Sequence, residues 1–297
     1  MRTGRRPLEL RRSWLFLPGA DQKALLAARE SAADVLIQEL EDFVPPNRKE
    51  QARALAVGTI GAWKAARRVA GVRVNPLIAG GLEDLEACMP AGPDVVLLPK
   101  TGTVADVLQL AGEIDRLEQR HKLTPGSTEI VPNIESAAAL LQVVAIARCS
   151  PRVVACLLAS EDMAADLGAE RGRDAIELAY ARQRFLVDCR AARVVAIDCP
   201  YTWRDQRGLE TDTRWARRLG YRAKSAVLPE HCAAINDLLT PSREEIERSR
   251  ATIAAFERAQ AAGAGAVAEN ERMVETPIYR MARRIIDRAR AFGLVAD

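Results

Sequence analysis

Asp94-Val-Val-Leu-Leu-Pro-Lys100, the Ala- and Leu-rich Val104–Leu117, Glu129-Ile-Val-Pro-Asn-Ile134 and Ala137–Ala147 together decide the fold. Two apolar runs of strand length are each followed by a stretch whose apolar residues recur three and four positions apart, the period of a helix face. The runs are mostly continuous rather than alternating, as expected of parallel strands covered on both faces. The same unit recurs outward in both directions. Strand-like segments at Trp14–Leu17, Asp34–Leu40, Val72–Asn75, Val153–Leu158, Arg193–Ile197 and Lys224–Leu228 bring the total to eight, and Ile176–Ala191 carries another helical pattern. Eight strands alternating with helices predict a (β/α)8 TIM barrel, a fold of about 250 residues. A doubly wound open sheet is the alternative, weakened because no Gly-x-Gly-x-x-Gly follows the first strand.

The barrel domain is expected over residues 1–240, and residues 241–297 form a C-terminal helical extension. Ser242-x-x-Glu245 is a capping box that opens one long helix. Pro277 suits the first position of a second, whose Ile278, Met281, Ile285 and Ile286 make an apolar stripe ending before Gly293. Ala261–Ala266 between them reads as a flexible connector.

Composition narrows the chemistry. The 297 residues hold 43 Lys or Arg against 40 Asp or Glu, a net charge of +3 that leaves no polycationic surface for nucleic acid and points to a small-molecule partner. No stretch approaches the ~20 apolar residues of a membrane helix. The basic start Met1–Arg12 runs only into Trp14–Leu17, which argues against a secretory signal. Six scattered cysteines without Cys-x-x-Cys fit a reducing, cytoplasmic location. Two histidines, His121 and His231, are too few for a His-rich zinc site. His231 reads as a surface residue.

In a barrel the carboxyl ends of the strands converge on one mouth. Here they end in Pro18-Gly19, Glu39-Leu40-Glu41-Asp42, Arg73-Val74-Asn75-Pro76, Pro99-Lys100, Glu135, Glu161-Asp162 and Asp198. Several carboxylates around one cavity, without histidine or paired thiols, call for a hard cation, and Mg2+ held by Glu135 and Asp162 is the natural choice. Arg73 and Lys100 would then face substrate anions. Taken singly, Glu135-Ser136 and Ser160-Glu161-Asp162 read equally well as helix caps, Lys100 as a loop residue or ion-pair partner, and Arg73 as half of a structural salt bridge.

The composite pattern resembles the citrate lyase beta-subunit-like branch of the HpcH/HpaI aldolase superfamily. The likeness runs through Arg12-Ser-Trp-Leu-Phe-Leu-Pro-Gly19, Leu40-Glu-Asp-Phe-Val-Pro-Pro46, Arg73-Val-Asn-Pro76, Val96-Leu-Leu-Pro-Lys100, Ile134-Glu-Ser136, Ser160-Glu-Asp-Met-Ala-Ala-Asp-Leu-Gly168, Ala196-Ile-Asp198 and Arg272-Met-Val-Glu-Thr-Pro277. The resemblance implies a cytoplasmic, trimeric or hexameric TIM-barrel lyase that uses Mg2+ to cleave or form 3-hydroxyacyl-CoA esters such as citryl-, malyl- or citramalyl-CoA, yielding an acyl-CoA and a 2-oxo acid. It implies Glu135 and Asp162 as metal ligands, Arg73 as the clamp on the 2-oxo acid, and Glu41 and Asp42 as supports of the metal and its waters. Arg12, Pro18 and Lys100 would lie near substrate or CoA, Asp198 would line the mouth, and Glu275 would be the acid/base reaching a neighbouring subunit's site. Three positions depart from the family: Glu275 stands for an Asp, Leu228 for a His, and Glu39 for a common Asp. The rival functions are a CoA-independent 2-oxo acid aldolase, a Schiff-base aldolase using Lys100, and a CoA-ester-binding subunit with weakened catalysis.

Overall fold

The computed structural model describes residues 5–269 and 272–295. Residues 1–4 of the basic start, 270–271 and 296–297 lie outside the described residues. Eight parallel strands close into a barrel in sequence order: β1 (Ser13–Pro18), β2 (Val35–Glu39), β3 (Val69–Arg73), β4 (Val95–Leu98), β5 (Glu129–Ile134), β6 (Ala155–Leu158), β7 (Val195–Asp198) and β8 (Ala223–Ala226). The surrounding helices are α1 (Gln22–Ala27), α2 (Lys49–Ala65), α3 (Gly81–Cys88), α4 (Val104–Arg120), α5 (Ala137–Leu140), α6 (Val143–Arg148), α7 (Ser160–Leu167), α8 (Ala179–Ala192), α9 (Gln206–Leu219) and α10 (His231–Leu239). The barrel expected from the alternating pattern is therefore present, and the open sheet is not.

Side-chain alternation sorts each strand into two rows. Trp14 and Phe16, Val35 and Ile37, Val69, Val95 and Leu97, Val131, Ala155 and Leu157, Ile197 and Ala223 point inward and pack as one cluster. Leu15, Leu36, Val72, Val96 and Ile130, from the opposite parity, are buried as well. Both faces are dry, so the runs carry no polar alternation. In the inward row Glu39, Arg73 and Asn133 come at the carboxyl ends and mark the candidate site, while Glu129 at the amino end of β5 is paired with Arg5 and Arg11.

Several boundaries differ from expectation, three of them for a visible reason. β3 begins at Val69, because inward-facing Gly71 packs against Ile37 and belongs to the strand despite its weak propensity. Ala137–Ala147 is two short helices broken at Leu141–Gln142, and α8 is preceded by a 3-10 turn at Ile176–Leu178.

The chain divides into two compact units, residues 1–237 and 238–297. The second contains α11 (Arg243–Ala261), opened by the reciprocal Ser242–Glu245 capping box, and α12 (Thr276–Ala291), with Pro277 in its first turn. Ile246, Ile286 and Ala289 form its core, while Met281 of the expected stripe is exposed. The segment read as a connector leads into a small antiparallel hairpin, β9 (Val267–Glu269) with β10 (Arg272–Val274). Among the described residues no helix is long and apolar enough to cross a membrane, and none of the six cysteines is in a disulfide.

Candidate active site

The mouth is built from the loops after β1 to β6. At its first corner β1 ends in the exposed Pro18, and Gly19 follows because nothing larger fits: a Cβ there would stand 2.2 Å from the Glu39 carbonyl oxygen. Strand β2 delivers Glu39, fully buried on the inward row. Its Oε1 accepts from the Glu41 amide at 2.5 Å and its Oε2 from the Phe43 amide at 2.5 Å, so the side chain folds its own loop into a tight turn. Strand β3 delivers Arg73, whose Nε donates to Glu39 Oε1 at 3.0 Å. Its guanidinium lies 5.3 Å from the Phe16 ring centroid and 5.8 Å from that of Phe43, and its Nη2 is 3.3 Å from Glu41 Oε2. Arg73 is thus both salt-bridged and aimed at the mouth.

Glu41 is buried, and Lys100 donates to its Oε1 at 2.6 Å. Burial pushes the Glu41 carboxyl up, against the pull of Arg73 and Lys100. Lys100 adopts a left-handed backbone (φ +48°), leaves half its side chain in solvent and approaches Asp42 at 3.5 Å. Its hydrogen bond to Glu41 holds the ammonium above the usual lysine range. A Schiff-base nucleophile needs the opposite shift, so the geometry argues against that rival.

Glu135 follows β5 and is 5% exposed, yet neither carboxylate oxygen has a well-formed hydrogen bond, the Lys100 backbone amide being the donor that approaches it. Its pKa is pushed up to about 7, first by burial and then by the Asp162 carboxylate nearby, with Arg73 pulling the other way. The capping reading fails for both acids. Ser136, not Glu135, caps α5 by accepting from the Ala139 amide. α7 starts at Ser160, preceded by Ala159 and so without a side-chain cap, which leaves Asp162 half-buried in its first turn with no hydrogen bond or ion pair among the described residues. Its neighbour Glu161 turns away to Arg171 and Thr202.

The structure keeps two predicted residues of the barrel unit away from the mouth. Arg12 precedes β1 and so lies at the amino end of the barrel, about five residues of strand, or roughly 17 Å, from the mouth. There its guanidinium and backbone amide bind Asp34 at 2.8–3.1 Å. Asp198 faces outward, one position after inward Ile197, and is fully buried between barrel and helices. Arg182 of α8 grips it through Nε at 2.9 Å and Nη2 at 2.6 Å, and Lys224 reaches it at 2.7 Å; both cations also bind Asp212. Glu275 belongs to the second unit, where it stands exposed before α12. His231 is not a surface residue: it is 1% exposed beside Tyr201, with burial lowering its pKa. Half-buried Leu228 follows β8.

Two supports escaped the sequence reading. Lys49 of α2 donates to the carbonyls of Leu40 and Glu41 at 2.6 Å and to Asn75 Oδ1 at 2.8 Å, stitching the β2 and β3 loops together. Buried Asp84 accepts from the Asn75 backbone and amide and from Arg53. Asn75 stood in a quoted motif, and Lys49 is one of only six lysines; neither signal said what it would touch.

Residues 12–229 match a family model described as HpcH/HpaI aldolase/citrate lyase. The chain is 34% identical over 291 residues to the citrate lyase subunit beta of Escherichia coli (strain K12), an alignment covering 97% of this chain and 96% of that protein. It is 29% identical over 288 residues to the mitochondrial citramalyl-CoA lyase of Mus musculus, covering 93% and 85%. Among solved structures it is similar, with a TM-score of 0.76 and 26% identity over 94% of this chain and 97% of the other, to protein CitE from Mycobacterium tuberculosis in complex with magnesium, acetoacetate and coenzyme A.

Proposed function

The chain belongs to the HpcH/HpaI aldolase/citrate lyase family, and from that premise we propose that it is a Mg2+-dependent carbon–carbon lyase. Its substrate is a 3-hydroxyacyl-CoA ester of the malyl-, citramalyl- or citryl-CoA kind, cleaved to or formed from an acyl-CoA and a 2-oxo acid. The observation that carries this reading is Glu135: a carboxylate buried beside a second one, with no well-formed hydrogen bond on either oxygen. A fold tolerates such a group when a cation completes it. The residues fit magnesium, which takes one or two carboxylates and leaves its other positions to water and substrate. Among the described residues no cluster of three or more His, Cys, Asp or Glu is arranged to hold an ion, which suits this two-carboxylate site better than a closed protein cage.

Glu135 and Asp162 would hold the ion, which when bound supplies a Lewis acid to the substrate's carboxylate and adjacent oxygen. Arg73 binds the 2-oxo acid carboxylate through its planar fork, held at a fixed angle by Glu39 and by the rings of Phe16 and Phe43. Glu41 sets Arg73 and Lys100 on either side of the entrance, and Asp42 with Pro18 forms the rim. Glu275 of a neighbouring subunit moves the proton at the α-carbon of the thioester, in a cytoplasmic homotrimer or hexamer whose barrels (residues 1–240) are each completed by an extension (residues 241–297). The CoA-bound relative with magnesium and the citramalyl-CoA lyase support the substrate class.

The test is turnover of malyl-, citramalyl- and citryl-CoA by purified protein, with Mg2+ and with EDTA, for the parent and for Glu135→Ala and Asp162→Ala. Metal-dependent cleavage lost in both variants is the expected result. Turnover that survives both substitutions refutes the assignment.

A further inference from the structure

Asn133 stands on β5 two residues after Val131 of the barrel core and two before Glu135. Strand side chains alternate, so Asn133 shares the inward face with Val131, and Glu135 follows one residue past the end of the strand. The register sets Asn133 opposite core residue Leu157 of β6. It is fully buried, and neither Nδ2 nor Oδ1 meets a hydrogen-bond partner. A dry, unpaired amide is a standing cost to a fold, and the Val, Leu and Ile that fill the surrounding rows would avoid it. Just past the end of the strand, on the mouth side, Glu135 presents the complement: two acceptor oxygens without a well-formed hydrogen bond. Side chains two apart on one strand face stand about 7 Å apart, a gap spanned by one rotamer change or one bridging water.

Resting on the metal reading above, we infer that Asn133 is a positioning residue for Glu135. Its Nδ2–H group holds one carboxylate oxygen, directly or through a single water, and leaves the other oxygen turned toward the cation. Metal-binding carboxylates are characteristically fixed by such partners, and removing one weakens metal affinity about 10–100-fold.

The experiment titrates Mg2+ and Mn2+ into the full-length chain by calorimetry, with Mn2+ electron paramagnetic resonance as a second readout, for the parent, Asn133→Leu, Asn133→Gln and Glu135→Gln. The expected result is binding by the parent, none by Glu135→Gln, and about 10–100-fold weaker binding by Asn133→Leu. Asn133→Gln keeps the amide and recovers part of the affinity. The thermal midpoint of Asn133→Leu in EDTA stays level or rises, since an apolar group of similar size replaces a buried polar one. Parent-like affinity in Asn133→Leu overturns the inference, and so does lost affinity accompanied by a lower midpoint in EDTA, which would make the residue a mere prop of the strand. If the parent binds neither ion, or Glu135→Gln binds as the parent does, the metal reading itself falls and takes the inference with it.

Discussion

Replacing Glu135 by Gln separates the cost of the buried carboxyl from its use. In metal-free protein an ordinary glutamate titrates near 4.5, whereas Glu135 does so near about 7, because burial and then Asp162 disfavour its charge. The folded state holds this proton more tightly than the unfolded chain does. Stability is therefore complete below pH 4.5 and is lost as the pH rises through 7. At about 1.36 kcal/mol per pKa unit the loss approaches about 3 kcal/mol. Domains of this size move roughly 2–4 °C per kcal/mol, so Glu135 lowers the midpoint by about 6–12 °C between pH 5 and pH 8. Gln cannot ionise. Differential scanning calorimetry in EDTA should show Glu135→Gln matching the parent near pH 5 and exceeding it at pH 8, and excess Mg2+ should raise the parent alone. Parallel pH profiles for the two proteins would refute both the burial argument and the site built on it.

Asp198→Ala strands Arg182 and Lys224 in a dry interior and should cost about 3–5 kcal/mol in a denaturant titration while leaving the KM of surviving enzyme unchanged; a shifted KM at parental stability would return Asp198 to the mouth. Arg73→Lys keeps the charge but loses the fork held by Glu39, so kcat/KM should fall roughly 10–100-fold in steady-state assays, and parental kinetics would disprove the clamp. Gly19→Ala forces a methyl against the Glu39 carbonyl and should lower both the thermal midpoint and kcat by displacing the β2 loop; retention of both would show that the loop yields freely.

The barrel could be read because its strands are dry on both sides, and a continuous apolar run such as Val96–Leu98 survives in any local context. β3 was displaced because Gly71 carries no hydrophobic signal, and the break at Leu141–Gln142 was hidden because Ala-rich sequence satisfies a helical period whether or not the chain bends. Glu135 and Asp162 are candidates by the rule that strand ends converge. The same rule misplaced Asp198, since parity with inward Ile197 sends it outward, and Arg12, which precedes its strand and so belongs to the other end of the barrel. Asn133 left a trace that went unused, an amide at an inward position inside an otherwise apolar run. The partners of Arg182 and Lys49 are set by packing between distant helices and strands, which local spacing does not encode.

The ladder between β7 and β8 comprises two residue pairs, where that between β1 and β2 comprises five. At this short seam Asp198 and Lys224 are themselves one of the two pairs, and Arg182 and Asp212 bolt the flanking helices to them. The ring is thus clasped by charge where backbone stitching runs thin. Because the clasp is hidden from solvent, added salt reaches it poorly, and the closing strand owes its hold to four side chains that must shed their water together.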